Sequence, residues 1–133
     1  MMRSMASRFR IHYTVSEARA ILPQLREWLE QLEQLRQRVE QNDATLAKLL
    51  TGGRDVGGEA ANRQVITLSK FKQLMDEFQR REIEVKDLER GLVDFPAVIG
   101  GREVFLCWEK DEDDITHWHE LDTGYAGREP LHE

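Results

Sequence analysis

The chain has 133 residues, of which 33% are charged and 40% apolar, with a net charge of −6, a length that suits one domain with a modest core. An acidic balance without a basic cluster argues against nucleic acid and anionic membranes as partners, because phosphate contacts dominate such binding. No stretch approaches the roughly 20 apolar residues of a membrane span, and the single cysteine excludes an intrachain disulfide and fits a reducing, cytoplasmic setting.

The opening residues MMRSMASRFR carry positive charge with no apolar stretch behind it, so residues 1–8 are expected to be a disordered extension rather than a signal peptide. Phe9, Ile11 and Tyr13 alternate with Arg10 and His12, the pattern of a short strand. Thr14-Val15-Ser16-Glu17 is a capping box: the threonine hydroxyl accepts an orphan N–H and the glutamate reaches back. The helix it opens carries an apolar stripe of Ala18, Leu22, Leu25, Leu29, Leu32, Leu35, Val39, Leu46 and Leu49, spaced mostly by threes and fours as in a coiled coil. Asn42 lies on that stripe, where a polar residue fixes register. Pro23 is too late for the first turn and is expected to kink or divide the helix.

TGGRDVGGEA is a glycine-rich loop; no Lys-Ser/Thr follows its glycines and no strand precedes them, so it does not read as a phosphate loop. A second helix follows, with Leu68, Phe71, Met75 and Phe78 as its stripe, and the short connection predicts an antiparallel helical hairpin. Ile83-Glu84-Val85 suggests another short strand. Ile99-Gly100-Gly101-Arg102 reads as a two-residue β-turn, since both central positions need positive φ. Pairing Ile99 with Arg102 sets Ala97 opposite Val104, Phe95 opposite Leu106 and Asp94 opposite Cys107. A second reversal through the acidic loop Lys110 to Asp114 sets Cys107 opposite His117, Leu106 opposite Trp118 and Phe105 opposite His119. One face then holds Val93, Phe95, Ala97, Val104, Leu106, Trp108 and Trp118, and is the core face. The other, turned away from the helices, holds Asp94, Pro96, Phe105, Cys107, His117 and His119.

The expected architecture is a single α+β domain: a long antiparallel helical hairpin plus a small antiparallel sheet of three or four strands. Its parts are an extension 1–8, strand and long helix 9–50, loop 51–59, second helix 60–82, sheet 83–121 and tail 122–133. Two amphipathic helices leave more apolar stripe than so small a sheet covers, so the expected remedy is a homodimer with a four-helix bundle.

Three blocks, GLVDFPA (Gly91 to Ala97), GREVFLCW (Gly101 to Trp108) and WHELDTGYAGREPL (Trp118 to Leu131), with YTVSEARAILPQL (Tyr13 to Leu25), resemble the bacterial domain-of-unknown-function 2203 family over nearly the whole chain. The resemblance implies no activity. The chain departs from it at His117, where the family is expected to carry an aromatic residue.

Asp94, Cys107, His117 and His119 are the candidate metal ligands, because thiolate, imidazole and carboxylate are the groups a divalent ion such as zinc takes. Glu120 points the other way and is assigned to a neighbouring ligand site, as is Arg128, which suits an anion or a carboxylate partner. Against the metal stands a plain sheet face with a buried cysteine acting as a small apolar residue. A hydrolase-like enzyme using Cys107, His119 and Asp94 is the rival, but a nucleophilic thiol needs electropositive surroundings and these are acidic. The run Asp111 to Asp114 lacks the glycine and chelating glutamate of a calcium loop and reads as a solvated turn. Three functions stay open: an oligomerising protein with a metal- or ligand-binding sheet face, an enzyme on the same groups, and a helical interaction module without a site.

Overall fold

The capping box forms as its spacing requires: the Glu17 N–H donates to Thr14 Oγ1 at 3.0 Å and the Thr14 N–H donates to Glu17 Oε1 at 2.9 Å. In the computed structural model, which describes residues 7–52 and 58–132, this box opens helix α1, Val15–Thr51. The helix runs through Pro23 without being divided. Helix α2 spans Gly58–Arg80, and five strands follow: β1 Glu84–Asp87, β2 Leu92–Ile99, β3 Arg102–Glu109, β4 His117–Glu120 and β5 Glu129–Pro130. All pair antiparallel in the order β1-β2-β3-β4-β5. The fold is α+β. The described helices include none long and apolar enough to cross a membrane. The expected loop 51–59 lies mostly outside the described residues, and the expected extension 1–8 lies outside them up to residue 6.

The registers are those the sequence implies. Gly100 and Gly101 take φ values of 57° and 77°, and Asp94 pairs with Cys107, Cys107 with His117 and Phe105 with His119. The strand count is five rather than three or four. The extra strand is a two-residue pairing of Glu129–Pro130 with His117 and Trp118. So short a strand has no alternation to reveal it, and its proline suits an edge. The opposite correction applies to residues 9–13, which form no strand. The Phe9 N–H goes instead to the Glu103 carboxylate and those of Arg10 and Ile11 to Glu82, while the Tyr13 N–H donates to the Pro96 carbonyl (2.7 Å).

The chain divides into two compact units, Met1–Arg26 with Phe78–Glu133, and Glu27–Glu77. In the first, both sheet faces are buried. Val93, Phe95, Ala97, Val104, Leu106 and Trp108 form one face, and Arg26 lies over the Trp108 ring at 4.9 Å. Arg26 also donates to the carbonyls of Lys110, Glu112 and Asp113, and Arg19 to that of Ile115. The acidic loop, expected to be a solvated turn, is therefore pinned at its backbone while its Asp111 and Asp113 side chains stay exposed. Helix α2 ends in a Schellman motif: Ile83 N–H donates to Phe78 and Glu82 N–H to Gln79. The left-handed position of that motif usually holds glycine, but here it holds Glu82, with φ 57°. A side chain there costs about 1 kcal/mol or more.

The second unit is an antiparallel pair of helical segments. Asn42 sits on the α1 stripe as expected and meets a polar layer, donating to Gln64 Oε1 (3.0 Å) and Thr67 Oγ1 (3.4 Å). Gln64 in turn donates to the Val39 carbonyl and to Asp43. These bonds hold one register of the two segments, because sliding would leave the buried Gln64 amide without its α1 partners.

Candidate functional site

The middle strands β2 and β3 bring a carboxylate and a thiol side by side, and β4 adds an imidazole. One ligand atom from each of Asp94, Cys107 and His119 lies within 4.8 Å of the others. All three residues are buried, with relative exposures of 1%, 0% and 1%. His119 Nδ1 lies 2.7 Å from the Glu120 carbonyl, which can only accept, so Nδ1 carries a proton. The other nitrogen, Nε2, lies 2.9 Å from Asp94 Oδ2. Two lone pairs would repel at that distance, so one proton is shared between them. This is the backbone-oriented imidazole that metal ligands commonly show, with the second nitrogen turned to the site.

The remaining oxygen, Asp94 Oδ1, is buried without a hydrogen-bond partner. The Cys107 thiol is close enough to act on the titration of Asp94 as a donor, yet no donor meets Oδ1 at hydrogen-bond geometry. Oδ1 is an open acceptor. Burial pushes the Asp94 pKa up, against the pull of His119 and Lys86. Burial, and next the Asp94 charge, push the Cys107 thiol up to about 12.

That shift has a testable sign. A thiol with a raised value keeps its proton in the folded protein after the unfolded chain has lost it. Its contribution is complete below the ordinary value of 9.0 and falls as pH rises through the window up to about 12. Metal-free protein is expected to lose up to about 1.4 kcal/mol per pH unit there from this group alone. Cys107→Ala should flatten the slope, as read by urea unfolding at about pH 8 and about pH 10.

The other expected site residues are placed as follows. His117 stands opposite Cys107 in the ladder, but its Nδ1 is 2.9 Å from the Thr116 hydroxyl, and it does not join the three. The His-x-His pattern put both rings on one face, but only the His119 ring meets Asp94. Glu120 pairs with Arg102 at 2.6 Å through its side chain, while its carbonyl orients His119. Its role at the cluster is through the main chain, which residue type cannot reveal. Arg128 donates to both carboxylate oxygens of Glu112 (2.8 and 2.9 Å), makes a long 3.5 Å contact with the Cys107 carbonyl, and has a buried Nε without a hydrogen-bond partner. The guanidinium groups of Arg90 and Arg128 lie over the Tyr125 ring at 4.5 and 4.7 Å, and Glu129–Pro130 pairs with β4, so the tail folds back on the sheet as expected.

A feature that residue types did not single out is Phe105. Its ring lies 5.4 Å from that of His119 and meets Phe9 edge-on at 5.3 Å. The N-terminal segment thus packs on Phe105, one residue of the polar face that the sequence left turned away from the helices.

The family model described as an uncharacterized conserved protein (DUF2203) matches residues 11–131. No curated protein and no solved structure matches the chain. The chain belongs to the DUF2203 family.

Proposed function

We propose that this member of the DUF2203 family binds a borderline-soft divalent metal ion, zinc first, through Asp94, Cys107 and His119. The observation that carries the reading is the unpartnered, buried Oδ1 of Asp94 beside a thiol and an oriented imidazole. Such an oxygen is costly to bury, by about 1–3 kcal/mol, unless something else binds it. A divalent ion suits the charge as well. With Cys107 and Asp94 ionised and His119 neutral, the buried centre is electrically neutral, which limits the desolvation cost. Thiolate and imidazole select zinc over magnesium or calcium, which favour oxygen.

Binding must displace the Cys107 proton and the proton shared by Asp94 and His119. Calorimetry in buffers of different ionisation heat is expected to count about two protons released per zinc, with affinity rising as pH rises. Titration without heat of binding or proton release would sink the reading. The enzyme reading on the same residues is weaker, because a nucleophilic thiol needs a lowered pKa and burial pushes this one up to about 12.

The helices favour self-association as a second part of the reading. Val65, Ile66 and Leu68 are 65%, 54% and 47% exposed, and Trp28, Leu35 and Leu74 line a groove of about 540 Å³. A two-fold pairing of the helical segments would cover them. Light scattering at micromolar concentration is expected to give a dimer mass, and Ile66→Asp with Leu68→Asp a monomer. A monomeric parent protein would end this part of the reading.

A further inference from the structure

Residues 8–13 are held in an unusual way. The N–H groups of Arg8 and Phe9 donate to Glu103 (2.8 and 3.0 Å), and those of Arg10 and Ile11 both donate to Glu82 Oε1 (2.7 and 2.6 Å). His12 Nε2 adds a 2.6 Å contact to Glu103. Four consecutive backbone donors therefore end on two side chains, where a strand would have used a ladder. Most of these bonds face solvent, while Phe9 is 8% exposed and packs on Phe105, the neighbour of His119. Glu82 is also the residue that occupies the left-handed helix-end position where glycine would be unstrained. The backbone geometry gives no reason for a glutamate there; its carboxylate, holding two strap N–H groups, does.

We propose that residues 8–13 form a strap, latched by Glu82 and Glu103, that gates access to the buried face carrying Asp94, Cys107 and His119, and so sets the exchange of the ion; the second half rests on the metal reading above. Releasing the two carboxylates frees Phe9 to lift from Phe105. Nothing in the sheet need unpair, because the backbone bond from Tyr13 to Pro96 lies at the far end of the strap. Local opening of this kind draws on an element with few ladder bonds and an exposed backbone.

The test begins with metal-free protein, where Cys107 is the single thiol and is fully buried. Glu82→Gly removes one latch while relaxing the helix end, so the variant is not expected to unfold. Its Cys107 should react with an aromatic disulfide reagent about tenfold faster than the parent, the scale set by losing a charge-assisted latch bond. Phe9→Ala should do the same from the other side of the strap. Unchanged labelling in Glu82→Gly, or labelling that rises only in proportion to a measured loss of global stability, overturns the gate. This arm contains no metal and decides the gate whether or not zinc binds. In zinc-loaded protein, Glu82→Gly should lose the ion to a chelator faster by a similar factor. Equal rates in variant and parent overturn the control of exchange.

Discussion

Zinc added to metal-free protein at about 100 times its dissociation constant is expected to raise the melting temperature by about 10 °C, and Cys107→Ser is expected to erase that rise. Ligand present at such excess stabilises the folded state by about 2.7 kcal/mol, and a domain of this size gains roughly 3–5 °C per kcal/mol. Serine fills nearly the volume of cysteine, so the variant should fold. Its hydroxyl, unlike a thiol, is not ionised by zinc under ordinary conditions, so the centre keeps one anionic ligand in place of two. The neutral balance is then lost, as is the soft donor that separates zinc from magnesium. Magnesium at the same concentration should leave both melting curves where they were. An equal zinc-induced rise in the parent and Cys107→Ser would place the ion elsewhere on the chain.

Much of the frame around this centre could be read from residue order, for identifiable reasons. Strand pairing has a period of two, so a glycine pair at Gly100 and Gly101 and a run of alternating residues fix which side chains face each other. Asp94, Cys107 and the His119 strand were legible in that way. So were the Thr14 capping box and the polar break at Asn42, because each is a local rule with one partner at fixed spacing. The features that escaped have no period. The His117 ring meets the Thr116 hydroxyl and stands outside the cluster that His119 joins. A main-chain carbonyl, which any residue at 120 could offer, sets the imidazole. The strap alternates like a strand, yet its donors end on Glu82 and Glu103, roughly 70 and 95 residues further along the chain. Nothing in the spacing of Phe9, Ile11 and Tyr13 tells a ladder from a pair of carboxylates.

Whether the buried cluster serves the fold or the ion is separable at Asp94, and the expected effects there are large and opposite in kind. In metal-free protein, Asp94→Ala should cost about 3–5 kcal/mol in urea unfolding, the range for removing one partner of a buried hydrogen-bonded pair. It leaves Nε2 of His119 buried without a partner and opens a small cavity at the centre of the sheet. Asp94→Asn should behave differently. An amide can turn its NH₂ to the Nε2 lone pair and leave its oxygen where Oδ1 stands, so the bond to His119 is kept and no proton is shared. It also removes the carboxyl whose burial pushes its pKa up. The asparagine protein is therefore expected to match or exceed the parent in metal-free stability, within about 1 kcal/mol. Its zinc-induced stabilisation should vanish, because a neutral amide oxygen is a poor zinc ligand beside a carboxylate and the site no longer balances the ion's charge. A carboxylate kept only for its structural bond to His119 would give the reverse pattern: Asp94→Asn would be costly in stability, and zinc would leave the melting temperature of parent and variant alike unmoved.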